Sequence, residues 1–154
     1  MRRASWQEYQ KDIADDKYYY ARSCIRQNFF PGSEKAFLDI LTNNLGIDIY
    51  DDPLHTSCTG IGYHSDVVPL ETIMTVVARQ FSLMAEAGYE NFISSCITSF
   101  GIYNEVLATW EEFPETEERT RRYLKEATGR ELVKRACRPY KSLENDLEKT
   151  RYSD

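Results

Sequence analysis

The chain reads as an α/β protein with a small parallel sheet flanked by helices. Three observations predict this. Short runs of aromatic and β-branched residues alternate with longer stretches whose apolar positions recur at helical spacing. Glycine or proline punctuates nearly every junction between them. The length, 154 residues, suits one domain that buries about two thirds of its unfolded surface without cross-links.

A polar leader, residues 1–16, precedes the first strand segment, Lys17-Tyr-Tyr-Tyr-Ala-Arg-Ser23, which ends at Cys24. Pro31 and Gly32 then break the pattern. Ser33 is placed to cap a helix whose apolar positions are Phe37, Ile40, Leu41 and Leu45, and Gly46 suits the residue past its end. A short strand over Ile47 to Tyr50 follows.

From Asp51 to Val68 neither period is present, and the segment holds Cys58, Gly60, Gly62 and both histidines, His55 and His64. A long irregular stretch inside a small domain reads as a functional loop. Pro69 opens the longest amphipathic stretch, with Leu70, Ile73, Val77, Phe81 and Met84 on one face and Gly88 as terminator. This is the expected core helix.

Asn91 to Ser95 is the third strand segment and delivers Cys96. Phe100, Tyr103, Val106, Leu107 and Trp110 mark another helix. Pro114 starts the last one, with Glu115, Glu117 and Glu118 early and Arg119, Arg121, Arg122 and Lys125 late, as the helix dipole favours. Glu117 with Arg121 and Glu118 with Arg122 are spaced to pair. Strands separated by helices imply parallel pairing through crossovers, an arrangement of the Rossmann-like kind. The domain is expected over residues 17–130, with 131–154 a polar helical or loose tail.

Charged residues make up 29% of the chain and the net charge is −6, which gives no basic footprint for nucleic acid. No apolar run is long enough for a signal peptide or membrane span, so a cytoplasmic protein is expected. In that reducing setting four cysteines point to metal or thiol chemistry rather than disulfides.

Cys24, Cys58 and Cys96 each lie just past a strand segment or in the loop after one. In an open α/β sheet such positions gather at one edge, where ligands bind. Thiolates there suit iron–sulfur clusters or zinc, and Gly60 and Gly62 allow tight turns and close backbone approach beside Cys58. His55, His64, Ser57 and Ser99 are candidate further donors. A Cys₃His zinc site and a cysteine nucleophile with a histidine base both remain open, because no Cys-x-x-Cys pair fixes the chemistry.

A resemblance narrows this. Cys24 with Pro31-Gly-Ser-Glu-Lys-Ala36, Ser57-Cys-Thr-Gly60, Pro69-Leu-Glu-Thr72 with Ala78-Arg79, Ala85-Glu-Ala-Gly88, and Ser95-Cys-Ile-Thr-Ser-Phe100 resemble the cysteine-rich CCG domain of the heterodisulfide reductase B-subunit family. The resemblance covers about residues 17 to 130. It implies a non-cubane 4Fe-4S cluster that passes electrons one at a time to cleave a disulfide. It also implies partners: a ferredoxin-like protein of the C type, a flavoprotein of the A type, and a disulfide or thiol substrate.

Matched to the family pattern, Cys24 is the first ligand, Cys58 the second of an adjacent pair, and Cys96 the first of a Cys-x-x-Cys. Ser57 and Ser99 stand where the two remaining cysteines belong, and a hydroxyl is a harder donor than a thiolate. The resemblance implies a family that usually carries two such domains per subunit, and a single-domain or truncated form is expected here. Cys137 matches no motif position and is expected to be a spare thiol. The implied activity is that of one component of a disulfide oxidoreductase working with partners; a cluster-free docking domain and a zinc or thiol site are the alternatives.

Overall fold

The computed structural model describes residues 17–55, 58 and 67–133. The elements run β1 (Tyr18–Ala21), α1 (Cys24–Phe29), α2 (Pro31–Asp39), β2 (Ile49–Tyr50), α3 (Leu70–Glu86), β3 (Asn91–Ser94), α4 (Ile97–Glu112) and α5 (Pro114–Thr128). The expected class is observed: three parallel strands in the order β2-β1-β3, flanked by helices.

β1 is central because both its faces are apolar. Tyr19 and Tyr20 point to opposite sides, and both are buried. Tyr19 packs toward Tyr50, His55 and Tyr89, while Tyr20 meets Phe37 of α2. Each phenol finds an oxygen partner, Tyr19 donating to Asp52 at 2.8 Å and Tyr20 sharing a hydrogen bond with Ser95. Burying a tyrosine hydroxyl without such a partner would be costly.

α3 is the core helix that its period predicts, with Ile73, Met74, Val77, Phe81 and Met84 among its buried residues. Its end is a left-handed turn at Gly88, φ +80°, where the Tyr89 amide reaches back to the Met84 carbonyl at 3.0 Å, a geometry that favours glycine. Phe81 meets Phe92, Tyr103 and Trp110, joining α3, β3 and α4 in one aromatic cluster. α5 closes the core with Leu124, and Gly129 at φ +73° ends it. Glu117 pairs with Arg121 at 2.7 Å, whereas the Arg122 guanidinium lies 5.3 Å over the ring of Tyr123.

Several details differ from the sequence expectation. α2 begins at Pro31, not after Ser33, because proline at the first helical position presets φ and has no amide left to satisfy. It then widens into a π turn over Ile40–Asn44, with the Leu45 amide bonded to the Ile40 carbonyl. The six-residue helix α1 has no counterpart in the sequence expectation. The strand segments contract to Tyr18–Ala21, Ile49–Tyr50 and Asn91–Ser94. α4 starts at Ile97, earlier than its first periodic residue Phe100.

Candidate functional site

The strand register creates the site. Ala21 at the end of β1 pairs with Ser94 at the end of β3, so the segments leaving these two strands emerge side by side. The chain passes from β1 to β2 on one flank and then crosses to β3 on the other. The β1/β3 boundary is therefore the topological switch point, where the carboxyl ends of the strands open a crevice. Cys24 and Cys96 both emerge there.

Neither cysteine lies in a plain loop. Cys24 is the first residue of α1, following Ser23, whose hydroxyl caps the helix by accepting from the Arg26 amide at 3.3 Å. Asn28 on the next turn donates to the Cys24 carbonyl at 2.7 Å. Cys96 is the residue before α4, in extended conformation, and its amide is held by the Ser94 hydroxyl at 3.1 Å. The two thiols thus stand at two helix starts.

Cys58 arrives from the other flank. The chain before it is tied down three times: Arg22 to Asp51, Tyr19 to Asp52, and Arg79 to the Leu54 carbonyl. These ties hold residues 51–55 against the sheet edge, three residues before Cys58. The Cys24 thiol donates to the Cys58 sulfur at 3.3 Å.

The environments of Cys24 and Cys96 differ. Burial, then the Cys58 contact and the nearby Cys58 and Cys96 sulfurs, push the Cys24 thiol up to about 11. Burial also works against ionising Cys96, but it is outweighed. The Cys96 thiolate is stabilised by the Ser99 amide and hydroxyl, the Thr98 amide and the Ser23 hydroxyl, and its pKa falls below the usual thiol value. Amides at a helix start and neighbouring hydroxyls favour a thiolate because each directs a partial positive charge at the sulfur.

Ser99 is buried in the first turn of α4, and its hydroxyl serves the Cys96 sulfur. His55 lies elsewhere. It is 2% exposed, sits 5.6 Å from the Tyr19 ring, and lines a small internal cavity with Gln80, Phe81, Met84 and Tyr103. Neither ring nitrogen has a hydrogen-bond partner among the described residues, and burial lowers its pKa to about 4. The ring is therefore a neutral core residue, not a donor at the cysteine edge. Ser57, Gly60, Gly62, His64 and Cys137 lie outside the described residues.

Sequence reasoning does not single out Ser23, whose hydroxyl serves Cys96. Nor does it single out the apolar rim. Ile25, Phe29 and Phe30 follow Cys24, Ile97 follows Cys96, and all four are exposed, Ile97 at 83%. The Ser-Cys pair at the start of α1 is the available signal for the first; nothing local signals the second.

Among the described residues no three His, Cys, Asp or Glu side chains group tightly enough to hold a single metal ion. A mononuclear zinc site needs its donors on one tetrahedron about 2.3 Å from the ion. A cluster instead spreads its thiolates over several irons and is tuned by hydrogen bonds to sulfur. Three thiols at one edge, with hydroxyl and amide donors aimed at one of them, are soft donors of the kind both zinc and iron–sulfur groups take. Cys24, Cys58 and Cys96 could hold such a group.

No family model matches the chain. The chain is similar to the B subunit of the ferredoxin:CoB-CoM heterodisulfide reductase of Methanosarcina acetivorans, at 32% identity over 92 residues. That match takes in 60% of this chain and 29% of the archaeal protein, so the chain spans under a third of the relative's length. Among the described residues no helix is long and apolar enough to cross a membrane.

Proposed function

We propose that this chain is an electron-transfer domain like that of the heterodisulfide reductase B subunit, holding an iron–sulfur cluster through Cys24, Cys58 and Cys96. The observation that carries the reading is the meeting of two of these thiols at the sheet edge beside the third, in a chain with 92 residues that are 32% identical to a heterodisulfide reductase B subunit. Bound there, a cluster would supply single-electron steps toward a disulfide or other sulfur compound.

The chain's own residues prepare that edge. Ser23 and Ser99 direct hydroxyls, and Thr98 and Ser99 amides, toward the Cys96 sulfur. Hydrogen bonds of this kind stabilise the electron-rich sulfur and raise the potential of a cluster it binds. Arg22, Tyr19 and Arg79 hold residues 51–55, the segment that leads to Cys58. Gly60 and Gly62 would give the following loop room to wrap the group, with Ser57 beside it. Ser99 acts as a hydrogen-bond donor to Cys96 in place of a thiolate ligand.

We place the domain at residues 17–130, working in the cytoplasm beside a ferredoxin-like protein of the C type and a flavoprotein of the A type. The exposed apolar rim of Ile25, Phe29, Phe30 and Ile97, which follow Cys24 and Cys96 in the chain, is what a partner would cover. The same rim favours the second reading, a docking domain of such a complex that carries no cluster.

The test is a half-reaction. The chain is reconstituted anaerobically with iron and sulfide, reduced, freed of reductant and mixed with a small organic disulfide. The reading expects the visible absorption lost on reduction to return as thiols are released, one per cluster reoxidised, so that two reduced chains consume one disulfide. Reoxidation without released thiol, or no visible absorption to follow, leaves the docking reading.

A further inference from the structure

We infer that Cys24 and Cys58 form a reversible intramolecular disulfide in the metal-free chain, with a low-molecular-weight disulfide as oxidant. Their sulfurs are already 3.3 Å apart across a sequence separation of 34 residues. Closing them to the bond length of about 2.05 Å takes a movement of a little over an ångström. Cys24 is placed by the start of α1, and the chain leading to Cys58 is tied down at Asp51, Asp52 and Leu54. Such pre-positioning makes the second sulfur an intramolecular nucleophile at high effective concentration.

The step balances as a thiol–disulfide exchange. Cys58, the exposed member, attacks one sulfur of the small disulfide and expels the first small thiolate. Cys24 then attacks the Cys58 sulfur of the mixed disulfide and expels the second. The protein loses two electrons and two protons; the small disulfide gains them and leaves as two thiols. Cys96 is not part of the 3.3 Å pair and takes no part in this bond.

The bond itself does not depend on the iron–sulfur reading; its consequence does. Once joined, Cys24 and Cys58 are no longer thiolates, so under that reading the oxidised chain cannot load a cluster until a reductant opens the bond. The pair becomes a redox gate on assembly.

The experiment uses the full chain carrying Cys137→Ser, stripped of metal and incubated with oxidised glutathione. Non-reducing proteolysis and mass spectrometry should show a Cys24–Cys58 cross-linked peptide, with Cys96 free or carrying glutathione but not joined to the pair. Cys58→Ser should lose the cross-link while keeping the same far-ultraviolet spectrum. A dominant bond to Cys96, or only glutathione adducts with no cross-link, overturns the inference. Cross-linking in a chain that takes up no iron when reduced would sink the iron–sulfur reading alone. Iron uptake without cross-linking of the stripped chain would sink this one alone.

Discussion

Oxidising the Cys24–Cys58 pair should stabilise the fold by an amount the structure allows to be worked out. The bond closes a loop of 34 residues, and the chain-entropy relation gives about 3.8 kcal/mol for a loop of that length at room temperature. Native strain subtracts from this, but the sulfurs need little movement, so roughly 2–4 kcal/mol should survive. For a domain of this size a gain of that order raises the melting temperature by on the order of 10 °C. The assay is paired calorimetric or circular-dichroism melting of the metal-free Cys137→Ser chain, reduced and oxidised, with urea midpoints as a second probe. Equal melting temperatures in the two forms, with the cross-link verified by mass, would refute the reasoning. They would mean that the bond strains the sheet edge as much as it restricts the unfolded chain.

Three further outcomes follow from the packing and the electrostatics. Leu124→Ala, at a fully buried position, should cost about 3 kcal/mol, whereas Ile97→Ala, at an 83% exposed position, should change stability by less than about 0.5 kcal/mol; urea unfolding checks both. His55 titrates near 4 when folded, lowered by burial from 6.5. The unfolded chain therefore binds its proton first as pH falls, and stability present above about 6.5 is lost between there and 4, by on the order of 3 kcal/mol. His55→Leu should flatten that part of the pH–stability curve, and an unchanged slope would show that the ring is not buried neutral. Ser99→Ala removes a hydroxyl from the Cys96 thiolate, about 1.5 kcal/mol for a bond to a charged acceptor. With greater intrinsic nucleophilicity partly offsetting the smaller thiolate fraction, alkylation of Cys96 near neutral pH should slow roughly three- to fourfold. An unchanged rate would remove Ser99 from that role.

The alternation of periods is enough to read three strands, their parallel pairing and the core helix α3, because each of those signals is local. It is also enough to place Cys24 and Cys96 together, since the register that joins Ala21 to Ser94 is a consequence of the alternation. The helix α1 is not legible: six residues, Cys24–Phe29, carry no buried position and so no apolar stripe. For the same reason both cysteines read as loop residues instead of helix-start residues, and the hydrogen-bond donors around Cys96 go unseen. His55 looks like a donor because it sits in a polar, glycine-bearing segment. Its burial is set by the Tyr19–Asp52 bond and the packing of Tyr19, contacts that reach 33 residues along the chain. The roles of Ser99 and Ser23 likewise depend on which sulfur the folded helices put within reach.

The most direct test of the central claim is the iron and acid-labile sulfide bound per chain after anaerobic reconstitution, measured for the wild type and for Cys24→Ser, Cys58→Ser and Cys96→Ser. The account predicts close to four irons with matching sulfide in the wild type, and a large loss in each variant whose fold is intact. A wild type that binds no iron and labile sulfide, or variants that retain it unchanged, would contradict it.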